Sequence, residues 1–140
     1  LCELLPDVKA YAINQCLCLA ATGDTKTAVN KAYELNLNNE SDNQVKRLLA
    51  WVLICNGNAK KALNIYDELM ATDKQPDDAL NIAYAQWING NPGEAKNSFT
   101  EWLINHPGAN LEHEFKNDYV FNLNGITDVD RALMLSAINM

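Results

Sequence analysis

Apolar residues return every three or four positions through most of the chain, in segments divided by short polar joints. Ile13, Cys16, Leu17 and Ala20 mark the first segment and predict a helix from near Val8 to Ala21. Gly23 can take the left-handed backbone that ends a helix, and Asp24 can cap the next one, predicted over 25–37. After the polar connection Asn38-Asn39-Glu40, Ser41-Asp42-Asn43-Gln44 reads as a capping box, with Ser41 as the cap and Gln44 reaching back, and opens a helix to about Asn56. Gln75-Pro76-Asp77-Asp78 places Pro at a first helical position and acids in the first turn, where the helix dipole favours them. Asn91-Pro92-Gly93-Glu94 does the same with Asn91 as cap, and Pro107-Gly108 stops that helix. No segment alternates as a strand does, so the pattern predicts an all-α chain.

The predicted helices come in pairs with a fixed period. Gly57 and Gly90 are 33 residues apart, and Gly23 and Gly57 are 34 apart. Around Gly57 stand Leu49 and Ala50, eight and seven residues before it, and Ala62, Tyr66 and Leu69, five, nine and twelve after it. The same places around Gly90 hold Ile82, Ala83, Ala95, Phe99 and Trp102, with Pro107 at seventeen after. Around Gly23 they hold Gln15, Cys16, Ala28, Ala32, Leu35 and Glu40, a degenerate copy. A repeat of about 34 residues made of two amphipathic segments around a Gly is the signature of a helical solenoid.

These residues resemble the tetratricopeptide repeat family, which places small or apolar side chains, an aromatic and a Pro at these intervals from its turn Gly. The resemblance covers roughly residues 1–107 and implies a right-handed α-α superhelix of about three repeats plus a C-terminal helix pair. The repeats fall at 7–40, 41–74 and 75–107, and 1–6 read as the end of a preceding repeat, with Pro6 at its Pro position. By that register the chain reads as a fragment. Residues 108–140 form the capping helices: Leu111, Phe115, Tyr119 and Leu123 share one face, Gly125-Ile126 breaks it, and Thr127-Asp128-Val129-Asp130 opens a helix carrying Ala132, Leu133, Leu135 and Ile138. This ending is similar to the tails of tetratricopeptide proteins of Bacteroidetes bacteria.

Charge narrows the partners. With 11 Lys and Arg against 18 Asp and Glu, the formal charge of −7 lacks the basic footprint that nucleic acid or an anionic membrane needs. No apolar run reaches the length of a membrane span, which points to a cytoplasmic protein without membrane insertion. Cys2, Cys16, Cys18 and Cys55 do not have zinc-site spacing, and Cys16 and Cys18 point to different sides of a helix. Cys16 fits a small packing position instead. His106 and His113 flank the Pro107-Gly108 break as surface residues, with no nucleophile beside them. A phosphate loop, a paired-His metal motif and a nucleophile elbow are all missing, so no enzyme, cofactor or metal is expected.

Tetratricopeptide arrays bind other proteins along a concave surface lined by the first helix of each repeat. The resemblance assigns to that surface Ile13, Leu17, Ala20 and Ala21; Arg47, Trp51, Ile54 and Cys55; Leu80, Tyr84, Trp87 and Ile88. Ile13, Leu17, Arg47, Trp51, Leu80, Tyr84 and Trp87 are the partner-binding candidates, with Arg47 as the row's one cation, at its edge. Ile13, Leu17, Trp51, Leu80 and Tyr84 occupy the places where the chaperone-binding members of the family hold a C-terminal carboxylate with Lys, Arg and Asn, so such a ligand is not expected. A peptide or helix of a partner protein, held in an apolar groove, is the first functional expectation. The other is a structural or self-associating module, a homo-oligomer or a regulatory part of a larger protein, whose groove is filled internally. For that role the tail's face around Phe115 and Tyr119 is the nearest candidate. Trp51, Tyr84 and Trp87 are expected to project to one surface, or else to pack between helices or under the tail.

Overall fold

A computed structural model of the chain describes residues 6–118 and 128–138. It is all-helical: α1 (Pro6–Ala21), α2 (Thr25–Asn38), α3 (Asn43–Cys55), α4 (Ala59–Thr72), α5 (Asp78–Ile88), α6 (Pro92–Asn105), α7 (Leu111–Asp118) and α8 (Asp128–Ile138). Each of α1 to α5 packs on the next, α3 also touches α1 and α5, and α8 packs along α6 and α7. The described residues contain no strand. None of their helices is long and apolar enough to cross a membrane.

The spacing of the glycines becomes a recurring piece of backbone. Gly23, Gly57 and Gly90 have φ of 94°, 84° and 83°, the left-handed region in which a side chain would be strained. Each Gly N–H donates to the carbonyl three residues back (Ala20, Ile54, Trp87), and the N–H of the following residue donates five back, to Leu19, Leu53 and Gln86. This is the Schellman closure, which satisfies carbonyls left over at a helix end. The residue after the Gly then starts the next helix, since Ala28, Ala62 and Ala95 donate to Asp24, Asn58 and Asn91. Three helix pairs, α1/α2, α3/α4 and α5/α6, are therefore joined by the same turn.

The small residues predicted from the period lie in the interior. Ala28, Ala62 and Ala95 are wholly buried, as are Ala50 and Ala83 on the first helices. Next to them the large positions close the core with Tyr66, Leu69, Phe99 and Trp102, while Leu35 stays partly open. Because Ala95 is wholly buried, Ala95→Leu should overpack the α5/α6 contact by about 1–3 kcal/mol. A urea midpoint equal to the parent's would contradict that packing.

Helix α3 is the central element. Every residue from Leu48 to Cys55 is buried, which fits a helix that is apolar all round and has α1, α2, α4 and α5 as neighbours. Polar bonds tie its ends to other pairs. Thr25 Oγ1 donates to Asn56 Oδ1 at 2.6 Å, and Lys9 Nζ meets Asp42 Oδ2 at 2.6 Å.

Two helix starts differ from the sequence expectation. The cap of α3 is Asp42, whose Oδ1 accepts from the N–H of Gln44 and Val45, and Ser41 lies exposed in the turn before it. A carboxylate one residue nearer the helix is the stronger acceptor for those two donors. Burial pushes Asp42 upward, but the bond from Lys9 and the two N–H groups outweigh it and hold the carboxyl below its ordinary range. At α5, Pro76 sits before the helix: Asp78 N–H donates to Gln75 and Ala79 N–H to Pro76, so the Pro shapes a tight lead-in turn. Asp24 caps as expected, accepting from Thr27 N–H, and Pro92 stands in the first turn of α6, but Asn91 holds the cap position there without a side-chain capping hydrogen bond. Tyr119, Leu123 and the Gly125–Thr127 joint lie outside the described residues, as do Leu1 to Leu5.

Candidate functional site

The candidate row is built by the first helices α1, α3 and α5, and its members end in different surroundings. Ile13 and Leu17 on α1 are half-buried against the core, and Trp87 near the end of α5 is half-buried as well. Ala21 and Ile88 are also partly open, whereas Ala20, Ile54 and Cys55 are fully enclosed. Trp51 and Leu80 are buried, and Tyr84 is only 1% exposed. The expectation that Trp51, Tyr84 and Trp87 project together to an open surface is therefore corrected. Trp51 and Tyr84 are joined inside, with ring centroids 6.2 Å apart, and Trp87 stays at the margin.

What closes over Tyr84 comes from beyond the three helix pairs. Phe115 of α7, itself 3% exposed, lies 5.9 Å from the Tyr84 ring and 5.6 Å from Phe99 of α6. Tyr84 and Phe99 meet edge to face at 5.9 Å. These separations and tilts are those that aromatic quadrupoles favour. One turn earlier Leu111 is also buried, so α7 rests on two apolar side chains at helical spacing, while Glu112 and His113 face outward.

Arg47 is likewise not an edge cation awaiting a ligand. Its Nε donates to both oxygens of Asp78 at 3.0 and 3.1 Å, Nη2 to Asp78 Oδ2 at 2.9 Å and to the Asp73 carbonyl at 2.6 Å, and Nη1 to Asp73 Oδ2 at 3.0 Å. Asp78 is 5% exposed, a buried carboxylate that needs such a partner. The bond to Asp78, with further bonds and charge from Asp73, raises the Arg47 pKa further despite partial burial. Arg47 thus clamps α3 to the end of α4 and the start of α5. Nothing local in the sequence signals this, because Asp73 and Asp78 lie 26 and 31 residues away.

A second polar joint sits at the end of α6. His106 stacks on Trp102 with centroids 4.5 Å apart, its Nδ1 is 2.7 Å from the Trp102 carbonyl, and its Nε2 meets Asp77. Both ring nitrogens therefore face acceptors, an arrangement that only the doubly protonated ring satisfies. The Trp102 carbonyl first, then the Asp77 bond, and more weakly the Glu114 charge lift the His106 pKa above its ordinary value. A raised folded-state value means that the stabilisation is fully present below the unfolded pKa of about 6.5 and is lost as pH rises through the higher folded value. An NMR titration should place His106 above that figure and Asp77→Asn should bring it down. An unshifted His106 in the parent would refute the pairing.

A cleft of about 380 Å³ lies between α1 and α2, with Gln15, Cys16, Lys31, Glu34 and Leu35 among its walls. Its charged side chains are Lys31 and Glu34, of opposite sign on one helix, without the convergent set that a reaction needs. Burial pushes the Cys16 thiol up, with Lys31 opposing, which makes it an inert packing group. No group of His, Cys, Asp and Glu among the described residues gathers as a metal site. No family model matches the chain, and comparison with curated proteins and with solved structures gives no match.

Proposed function

We propose that the chain is a non-catalytic scaffold of the tetratricopeptide kind, a right-handed superhelical array that holds a peptide or helix of a partner protein against its inner apolar row. The observation that carries the reading is the thrice-repeated Gly turn with a buried Ala five residues on, a unit of the kind that stacks in helical solenoids. Among the apolar partner-binding candidates, Ile13, Leu17 and Trp87 keep accessible surface. Apolar and aromatic side chains there suit an apolar segment in the helix-in-groove manner, and the acidic balance of the chain disfavours nucleic acid. A photo-crosslinking residue at Leu17 or Trp87 should join a partner polypeptide in the native cell, and the same residue at the exposed Lys61 of α4 should not. Equal labelling from all three positions would remove the reading.

The contact of Phe115 with Tyr84 favours a second reading, a structural or self-associating module whose row is occupied from within. Light scattering after size exclusion separates the two. Crosslinks confined to a second copy, together with a dimer mass, would favour the module over the scaffold.

A further inference from the structure

We infer that the cleft between α1 and α2 docks the C-terminal end of a helix from a different polypeptide, one with a long aliphatic side chain in its last turn and a Lys four residues on. The site does not rest on the scaffold reading, since none of the cleft's walls belongs to the inner row. Its chemistry is read from the same cleft where it recurs in the third helix pair. Gly23 and Gly90 are 67 residues apart, and at that interval Ala12, Gln15, Glu34 and Asn38 of the α1/α2 cleft become Ala79, Ile82, Glu101 and Asn105. Those four line a cleft of about 280 Å³ between α5 and α6. There the preceding helix fills one side: Met70, in the last turn of α4, and Lys74, just past its end, complete the walls with Gln75 and Pro76. Lys74 Nζ stands 3.9 Å from Glu101 Oε1.

The walls of the first cleft all come from α1 and α2. Glu34, at the place of Glu101, is exposed and forms no ion pair among the described residues. Leu37, in the same cleft, is 67% exposed. Tyr11, one turn before Gln15, is 71% exposed, whereas Val45 and Leu49, which stand 34 residues after Tyr11 and Gln15, are buried on α3 with α2 packed against that helix. A helix end also brings unpaired carbonyls and a partial negative charge, for which half-buried Lys31 is the matching cation. The two charges of the cleft therefore suit one ligand, with Glu34 meeting its Lys and Lys31 its carbonyls. No other helix end among the described residues combines an aliphatic side chain with a Lys four residues on, and the Met70/Lys74 end is already seated at α5, so a second copy of this chain is not the occupant.

The test uses a fluorescein-labelled peptide of residues 59–76, which carries the α4 end, and the full chain as parent and as Glu34→Lys. Fluorescence polarisation at low salt should show the peptide binding the parent and binding Glu34→Lys about tenfold more weakly, because an exposed attraction becomes a repulsion. The same peptide with Lys74→Glu should recover binding to Glu34→Lys, which also shows that the variant is folded. With Met70→Asp the peptide should bind neither chain. The proposal is overturned if the parent takes up no peptide, or if the reversed charges fail to recover binding. It is equally overturned if Glu34→Lys binds the original peptide as tightly as the parent does, since the peptide would then be seated elsewhere, as in exchange with the chain's own α4.

Discussion

Replacing Tyr84 with Ala should destabilise the chain by about 3–5 kcal/mol, as much as Phe99→Ala does. The two rings are equally enclosed, at 1% exposure each, and they touch each other and Phe115 in one aromatic cluster. Removing either leaves a cavity whose walls belong to α3, α5, α6 and α7 and cannot all move in. Trp87→Ala should be milder, since half-open surface at that position lets water take the vacated space. Urea midpoints of the three variants decide the matter. A Tyr84→Ala chain near the parent's stability, beside a strongly destabilised Phe99→Ala, would return Tyr84 to the exposed row that the repeat register alone assigns to it.

That contrast marks what the sequence can say. The turns at Gly23, Gly57 and Gly90 were readable because their requirement is local: a positive φ, followed at a fixed interval by an Ala that leaves room for a helix crossing. Helix starts were readable to within a residue or two. At the head of α3 two eligible caps stand side by side and Asp42 prevails over Ser41, and at α5 the Pro expected inside the helix shapes the turn before it. Periodicity also identified the apolar row, but it reports only that one side of a helix avoids water, not what covers that side. Trp51 and Leu80 are closed by neighbouring helices, and Phe115, 31 residues beyond Tyr84, brings the cover from outside the repeat. Asp77 and His106 meet over 29 residues, a pairing for which composition around either residue holds no signal.

Arg47 offers the other large effect. Arg47→Met keeps most of the side chain's apolar stem but leaves the Asp78 carboxylate buried without its cation, and unpaired buried charge is among the strongest destabilising changes known for a single site. The expected loss is about 3 kcal/mol, the low end for such pairs, because the Arg47 side chain is 24% exposed and water reaches part of the site. Adding Asp78→Leu should recover most of that loss, since removing both charges also removes the desolvation penalty, and a double-mutant cycle measures the coupling directly. The acid limb carries a second signature. Hydrogen bonding from Arg47, then from Gln75, holds Asp73 below its ordinary range, so its contribution is present above the unfolded carboxylate pKa and is lost as pH falls through the lower folded value. In Arg47→Met this acid-side loss should shrink while the parent keeps it. Were the single variant to unfold within about 0.5 kcal/mol of the parent, Arg47 would not be the clamp between α3, α4 and α5, and its guanidinium would be available to a ligand after all.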